Sequence, residues 1–151
     1  MIELLLFLHI LGFVMWMGGG YAIMTASIAA KREERGALAP LVRIQAAIVR
    51  AVIGPGAAIT VVTGIILTFK MFGGISAPSV WLMVMQGTGL LAGILTLAIT
   101  VPTAVRVSHM DPQVESAAFD ALRGRLRVVG MVSGILGLVA LIAGTLTRYG
   151  G

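Results

Sequence analysis

Long apolar runs alternate with short charged clusters along this chain. Four stretches reach the roughly 20 apolar residues that a bilayer crossing needs. They cover residues about 4–30, 46–69, 81–105 and 128–147. The first stops at Lys31-Arg32-Glu33-Glu34-Arg35, the second at Lys70 and the third before Arg106; the fourth lies between Arg127 and Arg148. The helices of a soluble bundle would each carry a polar stripe for water. The stretches 90–101 and 130–147 are apolar all round instead. The pattern predicts an all-α, four-helix transmembrane bundle with antiparallel neighbours, forming one integral membrane domain over residues 1–151. The first span reads as retained rather than as a cleaved leader: Glu3 precedes it, no basic residue does, and the run is too long.

Punctuation sets the expected connections. Residues 36–40 are the expected break between the first two helices. Residues 73–78, Gly-Gly-Ile-Ser-Ala-Pro, are an expected short turn. Asp111-Pro112 suits a helix start, with Asp as cap, Pro at the first helical position and Glu115 in the first turn. The fourth helix is therefore expected to begin near Pro112 and project before reaching Arg127.

Composition adds little beyond confirmation. Of 151 residues, 58% are hydrophobic and 11% charged, and the mean hydropathy is +1.03. There is no cysteine, which excludes disulfides and thiolate metal sites. The charge of +5 does not imply nucleic acid, because the basic residues stand beside the spans. Of the eleven Lys and Arg, nine fall on the side of the first and third connections: Lys31, Arg32, Arg35, Arg43, Arg50, Arg106, Arg123, Arg125 and Arg127. Lys70 and Arg148 alone fall on the other. The positive-inside rule places both termini outside the cytoplasmic membrane of a bacterium or archaeon, N-out and C-out.

Candidate chemistry centres on His9. Ionisable groups at membrane depth are costly and are functional candidates by default. His9, Phe13, Trp16 and Gly20 are spaced to share one helix face. Gly18, Gly19 and Gly20 remove side-chain bulk beside it, room for a neighbouring helix or a flat cofactor. The functional reading is a haem or metal ligand; the structural one is a neutral histidine bonded to another helix. By depth, Thr63 and Gln86 fall in the same layer as His9, and either could orient the imidazole. Met15, Met17, Met71, Met83 and Met85 lie in or near that half and leave copper open as an alternative metal, although methionine is also ordinary packing material. His109 lies in the basic connection, across the membrane from His9, and reads as a solvated loop residue. A bis-histidine site would therefore need His9 from two protomers. Gly54-Pro55-Gly56 predicts a kink. Gly130 and Gly134 form a small-xxx-small pair that fits an internal contact or a homodimer seam. No hydrolase, kinase or nucleotide pattern is present. The membrane also holds no acidic pair of the kind a proton pump needs, and no paired broken helices of the transporter type are evident.

The run Leu8-His9-Ile10-Leu11-Gly12-Phe13-Val14-Met15-Trp16-Met17-Gly18-Gly19 resembles the first-span motif of a group of small bacterial membrane proteins. That group includes the small membrane protoporphyrinogen oxidases, the membrane domain of copper resistance protein D, and an uncharacterised family of predicted integral membrane proteins. Gly54-Pro55, Thr63-Gly64-Ile65-Ile66-Leu67 and Trp81 also look like the group, and the uncharacterised family is the nearest in pattern. The resemblance to the oxidases implies haem binding at His9. Yet Tyr21-Ala22-Ile23-Met24 replaces their Leu-Pro-Arg continuation, and Met83-Val84-Met85-Gln86 lacks their basic residue. The copper family implies metal handling instead. The expectation is a b-type haem or related tetrapyrrole with His9 as axial ligand. Phe13, Trp16, Gly19, Gly20 and Gln86 would surround it, and a membrane redox partner would exchange electrons with it. Copper or small-solute transport, and a cofactor-free subunit of a larger complex, are the alternatives.

Overall fold

In a computed structural model, which describes residues 1–73 and 79–149, the chain is helical almost throughout. The elements are α1 (Ile2–Ala29), α2 (Arg35–Ile48), α3 (Gly54–Phe72), α4 (Val80–Leu95), α5 (Val101–Ser108) and α6 (Ser116–Tyr149). A π-helical turn, Val49–Ile53, joins α2 to α3, and another, Thr96–Thr100, joins α4 to α5. Six elements therefore make four rods, each long and apolar enough to cross a bilayer. Their outer faces leave Leu4, Phe7, Val14, Val62, Ile94 and Ile135 largely exposed. A surface of that kind needs lipid around it.

Local chemistry explains most of the ends. α1 closes in a 3-10 turn, Ala30–Arg32, and the extended Glu33 and Glu34 lead directly into α2. The break thus falls at the charged cluster and not at residues 36–40. Those residues form the first turns of α2, and Pro40 lies inside the helix. α3 ends at Gly73, whose φ of 70° is the left-handed conformation glycine tolerates at a helix C-terminus. The Ser79 hydroxyl accepts the Leu82 N–H at 3.2 Å and caps α4. The turn expected over 73–78 lies, after Gly73, outside the described residues. The fourth helix begins at Ser116, not near Pro112. Asp111 caps a turn instead: its Oδ1 accepts the Gln113 N–H at 2.8 Å and its carbonyl accepts the Glu115 N–H at 2.9 Å. Glu115 accordingly stands just ahead of the helix, its carbonyl accepting the Phe119 N–H.

The rods pair. α1 packs chiefly on α3, and α4 on α6; α2 meets α5 below. Glycine decides the first pairing. A Cβ on Gly12 would lie 2.8 Å from the Gly56 carbonyl, and one on Gly56 would lie 2.7 Å from the Gly12 carbonyl. The two backbones touch there. Gly93 gives way to Val61 between α4 and α3, and Gly144 to Met85 between α6 and α4. A Cβ on Gly130 or Gly134 would meet nothing, so no close helix approach within the chain requires glycine at either position.

Two apolar clusters result. The central one gathers Trp16, Val49, Ile53, Ala57, Ala92 and Ala104. The second, at the end rich in arginine, gathers Ala30, Leu38, Val42, Val107 and Phe119. At that basic end Arg35 of α2 pairs with Asp120 of α6 at 2.7 Å. Both partners are half-exposed, so the pair adds at most about 1 kcal/mol. Gly12→Ala should lower the thermal midpoint of the protein in detergent, since overpacking costs about 1–3 kcal/mol. Gly20→Ala should leave it within about 0.5 kcal/mol. Equal midpoints for the two variants would contradict the close approach of α1 and α3.

Candidate functional site around His9

His9 stands one turn beyond the Gly12–Gly56 contact, toward the chain termini. That contact brings its half-buried imidazole onto α3. Nδ1 lies 2.9 Å from the Thr60 carbonyl oxygen and 3.1 Å from Thr63 Oγ1. A carbonyl can only accept, so Nδ1 carries the proton. The Thr63 hydroxyl donates its own proton to the Ile59 carbonyl and can only accept from the ring. The Nδ1–H is therefore shared between two acceptors, and the neutral ring keeps its lone pair on Nε2. Gly64 makes the fit possible: a Cβ there would come within 3.0 Å of the ring's Cε1.

Each further candidate falls in a definite place. Thr63 orients the imidazole, as its depth allowed. Gln86 does not: its Nε2 donates to Thr68 Oγ1 at 3.1 Å, further along α3, and Thr68 donates onward to the Gly64 carbonyl. Trp16 is 5% exposed and sits in the central cluster. Its Nε1–H donates to Thr96 Oγ1 at 3.1 Å, crossing from α1 to the second π turn. Phe13 is half-buried. Gly19 is buried, and a Cβ on it would lie 2.7 Å from an Ile53 side-chain carbon. Gly18 and Gly20 are exposed, with nothing near. The inward face of α1 is thus His9, Gly12, Trp16 and Gly19, not His9, Phe13, Trp16 and Gly20. Gly12 and Thr60, missed in the sequence, complete the site. Gly12 falls at the spacing i+3 from His9 and i−4 from Trp16, a signal that was available.

The methionines do not gather at His9. The thioether of Met17 lies against Gly137 and that of Met85 against Gly144, while Met71 and Met83 are exposed. His109 is exposed at the basic end, in the connection after α5. Among the described residues, no group of three His, Asp or Glu side chains is placed to hold a metal ion.

Four long apolar rods packed against one another through glycines define a four-span integral membrane protein. More particularly, the chain belongs to the family of predicted integral membrane proteins DUF2269, whose family model matches residues 3–146. No curated protein matches the chain, and no solved structure does.

The tautomer can be read directly. In 15N-histidine-labelled protein, with His109→Gln to assign the two rings, His9 should show a protonated Nδ1 and an unprotonated Nε2. Thr63→Val should keep that pattern, because the Thr60 carbonyl remains. A protonated Nε2 beside a bare Nδ1 would contradict the geometry.

Proposed function

We propose that this protein binds a b-type haem or a related tetrapyrrole through His9 Nε2, for electron transfer or tetrapyrrole handling. One observation carries the proposal: the ring is clamped through Nδ1–H by Thr60 and Thr63, and its Nε2 makes no hydrogen bond among the described residues. Histidines that bind metals are held in this way, with the distal N–H on a carbonyl that fixes the ring and raises its basicity. The resemblance of the first span to haem-binding oxidases supports the same residue. A haem bound there would supply a one-electron couple, tuned by its axial ligand and by burial. The chain's own part is to hold the ring, through Thr60, Thr63 and Gly64. Copper is the weaker reading, since the Met17 and Met85 thioethers face glycines of α6 instead.

The setting completes the proposal. The basic end faces the cytoplasm by the positive-inside rule, which puts His9 and both termini toward the outside of the cytoplasmic membrane. Gly130 and Gly134 of α6, where a Cβ would meet nothing within the chain, suit a homodimer seam. Two copies could then exchange electrons with a common membrane partner.

The test is an absorption spectrum of detergent-purified protein expressed with ample haem. The oxidised protein should show a Soret band that sharpens on dithionite reduction, with α and β bands. His9→Ala should lose most of the bound haem, and His109→Ala should keep it. Full haem content in His9→Ala would overturn the assignment. A flat wild-type spectrum together with bound copper would favour metal transport. A flat spectrum with neither would leave a structural subunit.

A further inference from the structure

At the opposite end of the bundle from His9, a cleft of about 540 Å³ opens between the start of α2 and the connection from α5 to α6. Its walls include Gly36 and Arg43 from α2, and Ser108, His109, Asp111 and Gln113 from the connection. Donor side chains gather in these walls. Arg43 makes no ion pair among the described residues, where the one salt bridge joins Arg35 to Asp120. The Gln113 amide nitrogen is turned toward Gly36, 3.5 Å from where a Cβ there would stand. The His109 ring is exposed beside them. Asp111 is the single acid in the wall, and one of its oxygens already accepts the Gln113 backbone N–H.

Contacts around these groups connect the cleft's two walls. Arg35 bonds to Asp120 at 2.7 Å and reaches the Pro112 carbonyl at 3.5 Å, which fastens the connection to α2. Behind it, Val107 and Phe119 are almost fully buried with Leu38 and Val42. The cleft therefore lies against the buried apolar cluster at the basic end. An unpaired guanidinium, an amide and an imidazole stand around its mouth.

We propose that this cleft binds a phosphate group, with Arg43 as the charged anchor and Gln113 and His109 as further donors. Guanidinium against phosphate oxygen is the pairing that gains most from charge-assisted bonding. The cleft lies where the arginine-rich ends of four apolar rods meet, the depth at which an anionic lipid presents its phosphodiester. A soluble phosphate has the same chemistry and could reach the same opening.

The experiment uses the full chain and separates the two sources. In one arm, the protein is placed in nanodiscs of phosphatidylcholine with phosphatidylglycerol, released, and weighed by native mass spectrometry. In the other, delipidated protein in detergent is titrated with inorganic phosphate, and the thermal midpoint is followed. Phosphatidylglycerol should remain bound to the wild type. Arg43→Gln should weaken its retention about tenfold, the loss expected of one charge-assisted bond. Arg43→Lys should weaken it less, Gln113→Ala should weaken it measurably, and Lys31→Gln, outside the cleft, should not change it. A midpoint rise with inorganic phosphate that Arg43→Gln abolishes, without lipid retention, would uphold the site and make its occupant a soluble phosphate. Retention and midpoint shift both indifferent to Arg43→Gln and Gln113→Ala, or both absent from the wild type, would overturn the proposal.

Discussion

The contact between Gly12 and Gly56 governs the placement of almost everything else. Each residue presents bare backbone to the other's carbonyl, so α1 and α3 approach more closely than side chains would permit. In a bilayer no hydrophobic effect drives helices together, and close dispersion contact between small residues does that work. Once the two backbones meet, the 3.6-residue period fixes what lies on either side. Three residues toward the N-terminus, His9 comes against Thr60, Thr63 and Gly64. Four residues the other way, Trp16 enters the central cluster. Three residues further, Gly19 clears Ile53. One close approach thus seats the candidate ligand and the largest core side chain together.

The middle of the bundle depends on a second irregularity. Pro55 and Pro102 each follow a π turn by one residue, and the two turns are neighbours: a Cβ on Gly54 would lie 3.4 Å from a Val101 methyl. Proline offers no N–H, so the preceding helix must rearrange its bonds. Here Gly54 N–H reaches back to the Val49 carbonyl and Val101 N–H to the Thr96 carbonyl, the wider π spacing. The sequence predicts a kink at Pro55 alone; the structure has a π turn ahead of Pro55 and a second ahead of Pro102. Trp16 fits beside it, and its indole N–H finds the acceptor that lipid could not supply in the Thr96 hydroxyl.

The four spans were legible because lipid demands an apolar exterior, which writes itself into composition along the whole rod. Depth was legible for the same reason: residues counted inward from span ends, and Thr63 indeed met His9. Azimuth was not. From Trp16 both i+3 and i+4 are permitted by the helical period, and only the position of α3 selects Gly19 over Gly20. Gln86 was expected in the layer of His9, yet it bonds to Thr68, more than a turn further along α3 than Thr63. The helix ends near water were misplaced because turn-forming residues were read as breaks. Residues 36–40 continue a helix that Arg35 already opens, and Asp111-Pro112 closes a turn before Ser116.

Which polar group in such a bundle is free to act follows from counting bonds. The buried and half-buried hydroxyls mostly donate to carbonyls one turn back, as Thr60 does to Gly56, Thr68 to Gly64 and Thr88 to Val84. Beyond the Arg35–Asp120 pair at the basic end, bonds between helices among the described residues are few: Gln45 to Ser27, Gln86 to Thr68, Trp16 to Thr96, and His9 to Thr60 and Thr63. Each such bond contributes about 0.6 kcal/mol in a membrane protein, so all of them serve assembly to a similar degree. They differ in what remains afterwards. The indole of Trp16 has one donor and it is taken. The two glutamines have spare valence but no metal-binding nitrogen. His9 makes its assembly bond with one ring nitrogen and keeps a basic, unshared electron pair on the other. That spare electron pair is what the proposed ligand role of His9 rests on.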